Sequence, residues 1–374
     1  MYKTPCAIGL IVILLVLLAV GLAARQFLSI KSTGIPLGPA VRLPNDIAQI
    51  IRTTERYLPT LHRNPDQDRF RLDLLVVALA DPARQETITL IRQQDRSALQ
   101  PMTKILGGDG PVVWVQALDL FAVNLETKRL LRLADLKKLN PELEVFLTRA
   151  RFDFEDRLIA VSPDQQQAYA FPADTFKATP CAVPRRTGWV NPTAEASDGL
   201  CAGVMLTPTD WIGAVGAKEL ASDYRPGSWL PLDFAVNAKA DVRQLYRGQI
   251  VPEGGRSRLQ RVERMAETEY RDAAFVRSAR KKAALRLTAP DGVLLTYRSA
   301  PAPHGNLVVT RLTANGESQW TADTGIGRVE QILPGATAVA FIGERPPVPD
   351  KVSEPILVVV NTATGAANTV SLWR

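Results

Sequence analysis

Short β-branched runs bounded by turn residues recur along most of the chain, and this texture limits its fold more than any other feature. Leu72–Leu79, Val112–Gln116, Arg157–Ser162, Gly292–Tyr297, Leu307–Leu312, Ala338–Ile342, Ile356–Asn361 and Thr369–Trp373 are all of this kind. Glycine, proline, asparagine or aspartate brackets them, as expected for strands joined by tight turns. The 27 prolines and 24 glycines are spread along the 374 residues and form no tract. The chain therefore reads as all-β.

A weak repeat lies beneath the pattern. Asn124-Leu-Glu-Thr-Lys128, Asn315-Gly316 and Asn361-Thr-Ala-Thr-Gly365 each separate one apolar run from the next. Thr127 and Thr175 stand 48 residues apart, and Gly316 and Gly365 stand 49 apart, by their positions in the sequence. A spacing of about 40 to 50 residues fits a four-stranded propeller blade. The expected fold is a β-propeller of about six to eight blades, with a pair of β-sandwiches as the alternative.

Two segments interrupt this texture. After Asn45 or Asp46, residues Ile47, Ile50, Ile51, Thr54, Leu58 and Leu61 recur at helical spacing, with Pro59 as the break. From Ser257 to Leu285, residues Leu259, Val262, Met265 or Ala266, Ala273, Val276 and Ala283 do the same, predicting a basic helical insertion. Between Arg256 and Arg286 ten basic residues face four acidic ones, a surplus close to the whole net charge of +7. Arg258, Arg261, Arg277 and Lys281 are expected on the outer face of that helix. There they form either a solvated cover or a docking surface for an acidic protein or anionic lipid headgroups.

Thr4–Ala24 is an unbroken uncharged run dominated by leucine, valine, isoleucine and alanine. At about 1.5 Å per residue a helix of this length matches a bilayer core of about 30 Å. Residues 1–30 read as a transmembrane anchor, with a cleaved signal peptide as the alternative. Residues 31–45, carrying Pro36, Pro39 and Pro44, read as a linker, and 46–374 as the folded domain. Arg25 and Lys31 behind the run favour a cytoplasmic flank. Cys181 and Cys201, twenty residues apart with no histidine nearby, favour a disulfide and therefore an oxidising compartment. The expectation is a single inner-membrane span with the domain in the periplasm, where a nucleic-acid partner is not expected.

Five sequence segments resemble known proteins. Gly316-Glu-Ser-Gln-Trp320 followed by Thr321-Ala-Asp-Thr-Gly325, and the closing Pro355–Gly365, are similar to the strand-and-turn hairpins of quinoprotein-like β-propellers. Asn140-Pro-Glu-Leu143, Phe176-Lys-Ala-Thr-Pro180 and Ser371-Leu-Trp-Arg374 resemble an uncharacterised group of proteobacterial membrane-anchored proteins. The resemblance implies a propeller and brings no activity. The few repeat-like motifs do not carry the quinone cofactor across, and no cofactor is expected.

Catalytic signatures are absent from the sequence. His62 and His304 are the two histidines, with no HExxH or Cys/His cluster for zinc and no GxSxG for a nucleophilic serine. Gly107-Gly-Asp-Gly-Pro111 lacks the lysine of a phosphate loop and reads as a hairpin turn. Asp153, Glu155 and Asp156 offer oxygens for calcium, but the alternating Phe152 and Phe154 favour a strand with a wet face. The function expected is therefore a non-enzymatic scaffold or accessory subunit of an envelope complex, the alternative being an enzyme or small-ligand binder.

Overall fold

The computed structural model describes residues 30–57, 69–93, 103–184, 200–207, 209–216, 242–253, 256–277, 287, 292–301, 304–349 and 352–373. The proposed anchor, Cys6, His62 and Lys281 lie outside them. Among the described residues no helix is long and apolar enough to cross a membrane.

Among the described residues five antiparallel sheets follow one another along the chain. The first holds β1 (Ile30–Arg42), β2 (Asp46–Tyr57), β3 (Arg69–Ala78) and β4 (Gln85–Gln93). The second holds β5 (Lys104–Asp109), β6 (Val112–Gln116), β7 (Leu120–Asn124) and β8 (Leu130–Arg132). Helices α1 (Leu133–Leu139) and α2 (Glu144–Arg149) then lead to β9 (Arg151–Phe154), β10 (Leu158–Val161), β11 (Ala168–Phe171) and β12 (Thr179–Cys181). The fourth sheet has eight strands: β13 (Leu200–Cys201), β14 (Gly203–Met205), β15 (Asp210–Val215), β16 (Val242–Glu253), β17 (Arg256–Val276), β18 (Gly292–Arg298), β19 (Leu307–Thr313) and β20 (Ser318–Asp323). The fifth holds β21 (Arg328–Leu333), β22 (Ala338–Glu344), β23 (Pro355–Asn361) and β24 (Ala367–Ser371).

Side-chain alternation divides each sheet between two cores. Ile47, Ile51, Leu75 and Val77 of the first sheet pack with Ala340, Ile342, Leu357 and Val359 of the fifth. Their neighbours Ala48, Ile50, Leu74 and Val76 face the other way, onto Val113, Val115, Phe121 and Val123 of the second. Val112, Trp114 and Ala122 meet Leu158, Ala160 and Phe171 of the third, while Val339, Phe341 and Val358 meet Leu294 and Val309 of the fourth. The first strands are also neighbours: β1 lies beside β5 and β21, and β5 beside β9. Consecutive meanders stacked face to face with adjoining first strands make a β-propeller.

Among the described residues the first and fifth sheets meet without an exchanged strand. The Ala40 amide donates to Gln331 Oε1 (2.9 Å), and Gln331 Nε2 donates back to the Ala40 carbonyl (2.8 Å). Arg42 Nη1 donates to the Ala338 carbonyl at 3.0 Å. Side chains and the shared apolar core thus do the work of a continuous ladder.

Three sequence-based assignments are corrected. Residues 31–45, read as a linker, are mostly β1. As a sheet edge, β1 tolerates Pro36 and Pro39, and a register irregularity between Leu37 and Val41 includes Gly38 at φ 63°. The helix expected after Asp46 is the strand β2. Ile50 and Ile51 are both buried because each face of β2 meets a different sheet, so simple polar alternation disappears.

Up to Val276 the expected basic helix is the strand β17, and residues 278–285 lie outside the described residues. Between Gln260 and Glu263 it carries one more residue than its partner β16, with Arg261 at φ 50°, and a larger irregularity precedes Glu269. Each bulge resets the inward phase, so the apolar spacing in sequence imitates a helix. β17 also changes partner. Its residues up to Arg271 pair with β16, and those from Arg271 onward pair with β18, across a shift beside Asp272 at φ 47°.

Candidate functional site: a cleft between the second and third sheets

Short four-stranded meanders place alternate turns on one rim. The turns after β5, β7, β9 and β11 therefore lie together, opposite the rim at which β1 enters. Asp109 Oδ2 accepts the Ala173 amide at 3.1 Å, tying the β5–β6 turn to the β11–β12 turn. Lys128 pairs with Glu86 at the start of β4 on this same rim.

The turns after the third strands share a conformation. Asn124–Lys128, Pro172–Phe176 and Asn361–Gly365 each end on a left-handed fifth residue, with φ values of 58°, 54° and 75°. Asn124 Oδ1 accepts the Glu126 and Thr127 amides, as Asn361 Oδ1 accepts those of Ala363 and Thr364. The 48-residue spacing of Thr127 and Thr175 is thus a structural repeat. Two of these turns frame a cleft of about 830 Å³.

Its floor is apolar. Ala122 and Leu131 lie beneath it, with Pro111, Pro172, Ala173 and Phe176 around them. Trp114 holds Phe176 edge-on, their ring centres 5.7 Å apart. Gly107 permits this sheet-to-sheet approach: a Cβ there would lie 2.1 Å from Phe154 Cδ1. Asn140 fixes the flank. Its Nδ2 donates to the carbonyls of Leu136 (2.8 Å) and Phe176 (3.0 Å), and its Oδ1 accepts the Ala178 amide at 2.8 Å. The two motifs at Asn140–Leu143 and Phe176–Pro180 therefore meet in space, with Asn140 as a buried clamp.

Around the mouth stand Asp109, Asp156 and Asp174 with Arg129 and Arg157. Apart from Asp109, all are exposed, and none of the five forms an ion pair among the described residues. The arrangement offers both signs of charge above a rigid hydrophobic floor. It lacks a nucleophile–base pair, and the described residues contain no group of three metal-ligating side chains. Asp153 is exposed on β9 and lies 4.0 Å from Arg151, with Phe152 buried between them, whereas Glu155 and Asp156 lie in the exposed turn that follows. His304 occupies an exposed turn.

Of the residues singled out from sequence, Asp156 lines the cleft, the described cations and cysteines lie elsewhere, and Lys281 is outside the described residues. Arg258 and Arg261 are on β17, where Arg261 is exposed and its Nη1 reaches Gln249 Oε1 at 3.4 Å. Arg277 follows the end of β17 and is half-buried, so no common helical face exists. Cys181 and Cys201 are not bonded to each other, a correction to the expected disulfide. Cys181 ends β12 of the third sheet, whereas Cys201 in β13 pairs with Phe275 and points its Sγ at that carbonyl, 3.7 Å away. Each side chain is thus committed to a different sheet. Burial, reinforced by Glu155, pushes the Cys181 thiol up despite Arg157.

No family model and no curated protein matches the chain. Among solved structures it is similar to the β-propeller domain of the Trilobed protease from Pyrococcus furiosus, described as having an open velcro topology. The identity is 9%, with 91% of this chain and 97% of that one covered, and a TM-score of 0.31. It is also similar to the Pyrococcus horikoshii acylaminoacyl peptidase at 12% identity and a TM-score of 0.25. That match covers 90% of this chain and 51% of the peptidase, so the chain spans about half of that protein. At these scores no residue correspondence or chemistry carries over.

Proposed function

We propose that this protein is a membrane-tethered periplasmic propeller of six blades that recognises a polypeptide segment as a scaffold or accessory subunit of an envelope complex. Six blades follow if β17 is shared, closing one four-stranded unit with β14–β16 and opening the next with β18–β20. The tether is the apolar run Thr4–Ala24.

The observation that carries the recognition reading is the charge set around the cleft, which forms no ion pair among the described residues. Turns braced from two sheets hold three carboxylates and two guanidinium groups over an apolar floor. A short peptide segment supplies matching charges and a hydrophobic side chain, and the cleft volume lies within the usual range for ligand sites. The frame is preformed, so little ordering accompanies binding.

Peptides selected against the full-length protein in detergent provide the test. Binding should fall roughly tenfold for each charge-assisted contact worth about 1.4 kcal/mol. The Arg129→Glu/Arg157→Glu double variant should therefore lose the selected peptides while its melting temperature stays within the range of surface substitutions. Undiminished binding by the double variant would remove the cleft as the recognition site.

A further inference from the structure

We infer that the cleft takes the C-terminus of a polypeptide, with its α-carboxylate at Arg129 and Arg157 and a basic side chain just upstream at Asp109 and Asp174. The inference rests on the proposed peptide recognition at this cleft and deepens it by naming the chemistry of the ligand.

The four turns around the cleft divide by charge. Asp109 ends β5, and Asp174 lies in the turn between β11 and β12. The hydrogen bond from the Ala173 amide to Asp109 Oδ2 ties these two turns together, so their carboxylates share one side of the cleft. The guanidinium groups come from the other two turns, Arg129 just before β8 and Arg157 just before β10. Asp156, beside Arg157 in the chain, forms no ion pair with it. Opposite charges are thus held apart by braced turns, and a ligand carrying both signs meets them without breaking an internal pair.

The backbone around the cleft is largely engaged in its own turns. The Leu125 amide donates to the Pro111 carbonyl, the Asn124 amide to the Arg129 carbonyl and the Phe176 amide to the Pro172 carbonyl, each at 2.9 Å. The Thr127 amide is held by Asn124 Oδ1, and Pro111 and Pro172 have no N–H to offer. A chain threading the cleft would lay amides and carbonyls over Ala122, Leu131 and Phe176 without partners, which is costly for each buried group. A chain end lays down fewer of these groups and brings a full charge. Guanidinium forks match the two oxygens of a terminal carboxylate.

Size sets the spacing. A compact space of 830 Å³ is about 12 Å across, the reach of about three to four extended residues. The basic side chain therefore belongs two or three residues before the end, with an apolar side chain between them on the floor.

Fluorescence anisotropy with the full-length protein in detergent tests this assignment. The reference peptide carries fluorescein at its N-terminus and ends in Gly-Lys-Ala-Leu with a free carboxylate. One control ends in the C-terminal amide, and a second has glutamate in place of lysine. The free acid should bind at least tenfold more tightly than the amide, and Arg129→Glu/Arg157→Glu should abolish that difference. Asp174→Lys should reverse the preference for lysine over glutamate while keeping the preference for the free acid. Equal binding of acid and amide by the unmodified protein overturns C-terminal capture, whatever the folding of the variants. Undetectable binding of the free acid does so too. In either case, selected peptides that still require both arginines leave the cleft in place as the recognition site. Binding of selected and designed peptides alike that is indifferent to the arginine double variant removes the cleft itself, and with it the peptide recognition on which this assignment rests.

Discussion

The seam between the first and fifth sheets and the β16–β17 hairpin are both made of strands, yet they spend their apolar residues differently. In the seam, β2 is covered on both faces, and Ile47, Ile50 and Ile51 have at most 1% of their surface exposed. In the hairpin, Leu259 is buried but Val262 and Met265 are half-buried, and bulges with left-handed residues interrupt the ladder. Both segments show helix-like apolar spacing in the sequence. In one case the cause is burial on two sides; in the other it is a repeated shift of phase. Apolar spacing alone therefore does not distinguish a doubly covered strand from a bulged one, or either from a helix.

Stability measurements can break this comparison. Ile51→Ala should cause the largest loss, about 2 to 5 kcal/mol in urea denaturation, because a cavity opens in a seam that cannot collapse on one side alone. A loss below 1 kcal/mol would mean that the two-sided burial of β2 is wrong. Gln331→Ala comes next. It leaves the buried Ala40 amide and carbonyl without their side-chain partner and should cost about 1 to 3 kcal/mol. Hydrogen exchange should then quicken first along β1 and β21, and uniform exchange would show that the closure is not a local weak point.

The hairpin should respond least and with an informative sign. Arg261→Val places a strong strand former at an exposed strand position, which would ordinarily be neutral or favourable. At φ 50° a β-branched side chain is strained, so the expected outcome is a loss of about 1 kcal/mol. A gain in stability would remove the bulge and return β17 to a regular strand.

Much of the fold was legible because strand periodicity and turn chemistry are local. The runs from Val112, Leu307, Ala338 and Ile356 became strands, and the spacing of Thr127 and Thr175 marked a repeated turn. The cleft was not legible. Asp109, Arg129, Asp156, Arg157 and Asp174 fall in separate turns with no common motif, and Asp156 was read only as part of an acidic cluster. A signal was present in the charged residues near each repeated turn, but it acquires meaning only when two sheets are stacked.

Chain order and side-chain chemistry by themselves determined an all-β protein with a blade-like period, an apolar segment ahead of it and no catalytic signature. Tertiary structure decided which of two adjacent residues faces which core, because alternation becomes informative only once the neighbour on each side is known. It also decided that β17 changes partner at Arg271, that Asn140 closes on Phe176 and Ala178, and that Cys181 and Cys201 belong to different sheets. These are contacts between residues distant in sequence, and their geometry depends on the stacking of whole sheets, which no local pattern encodes.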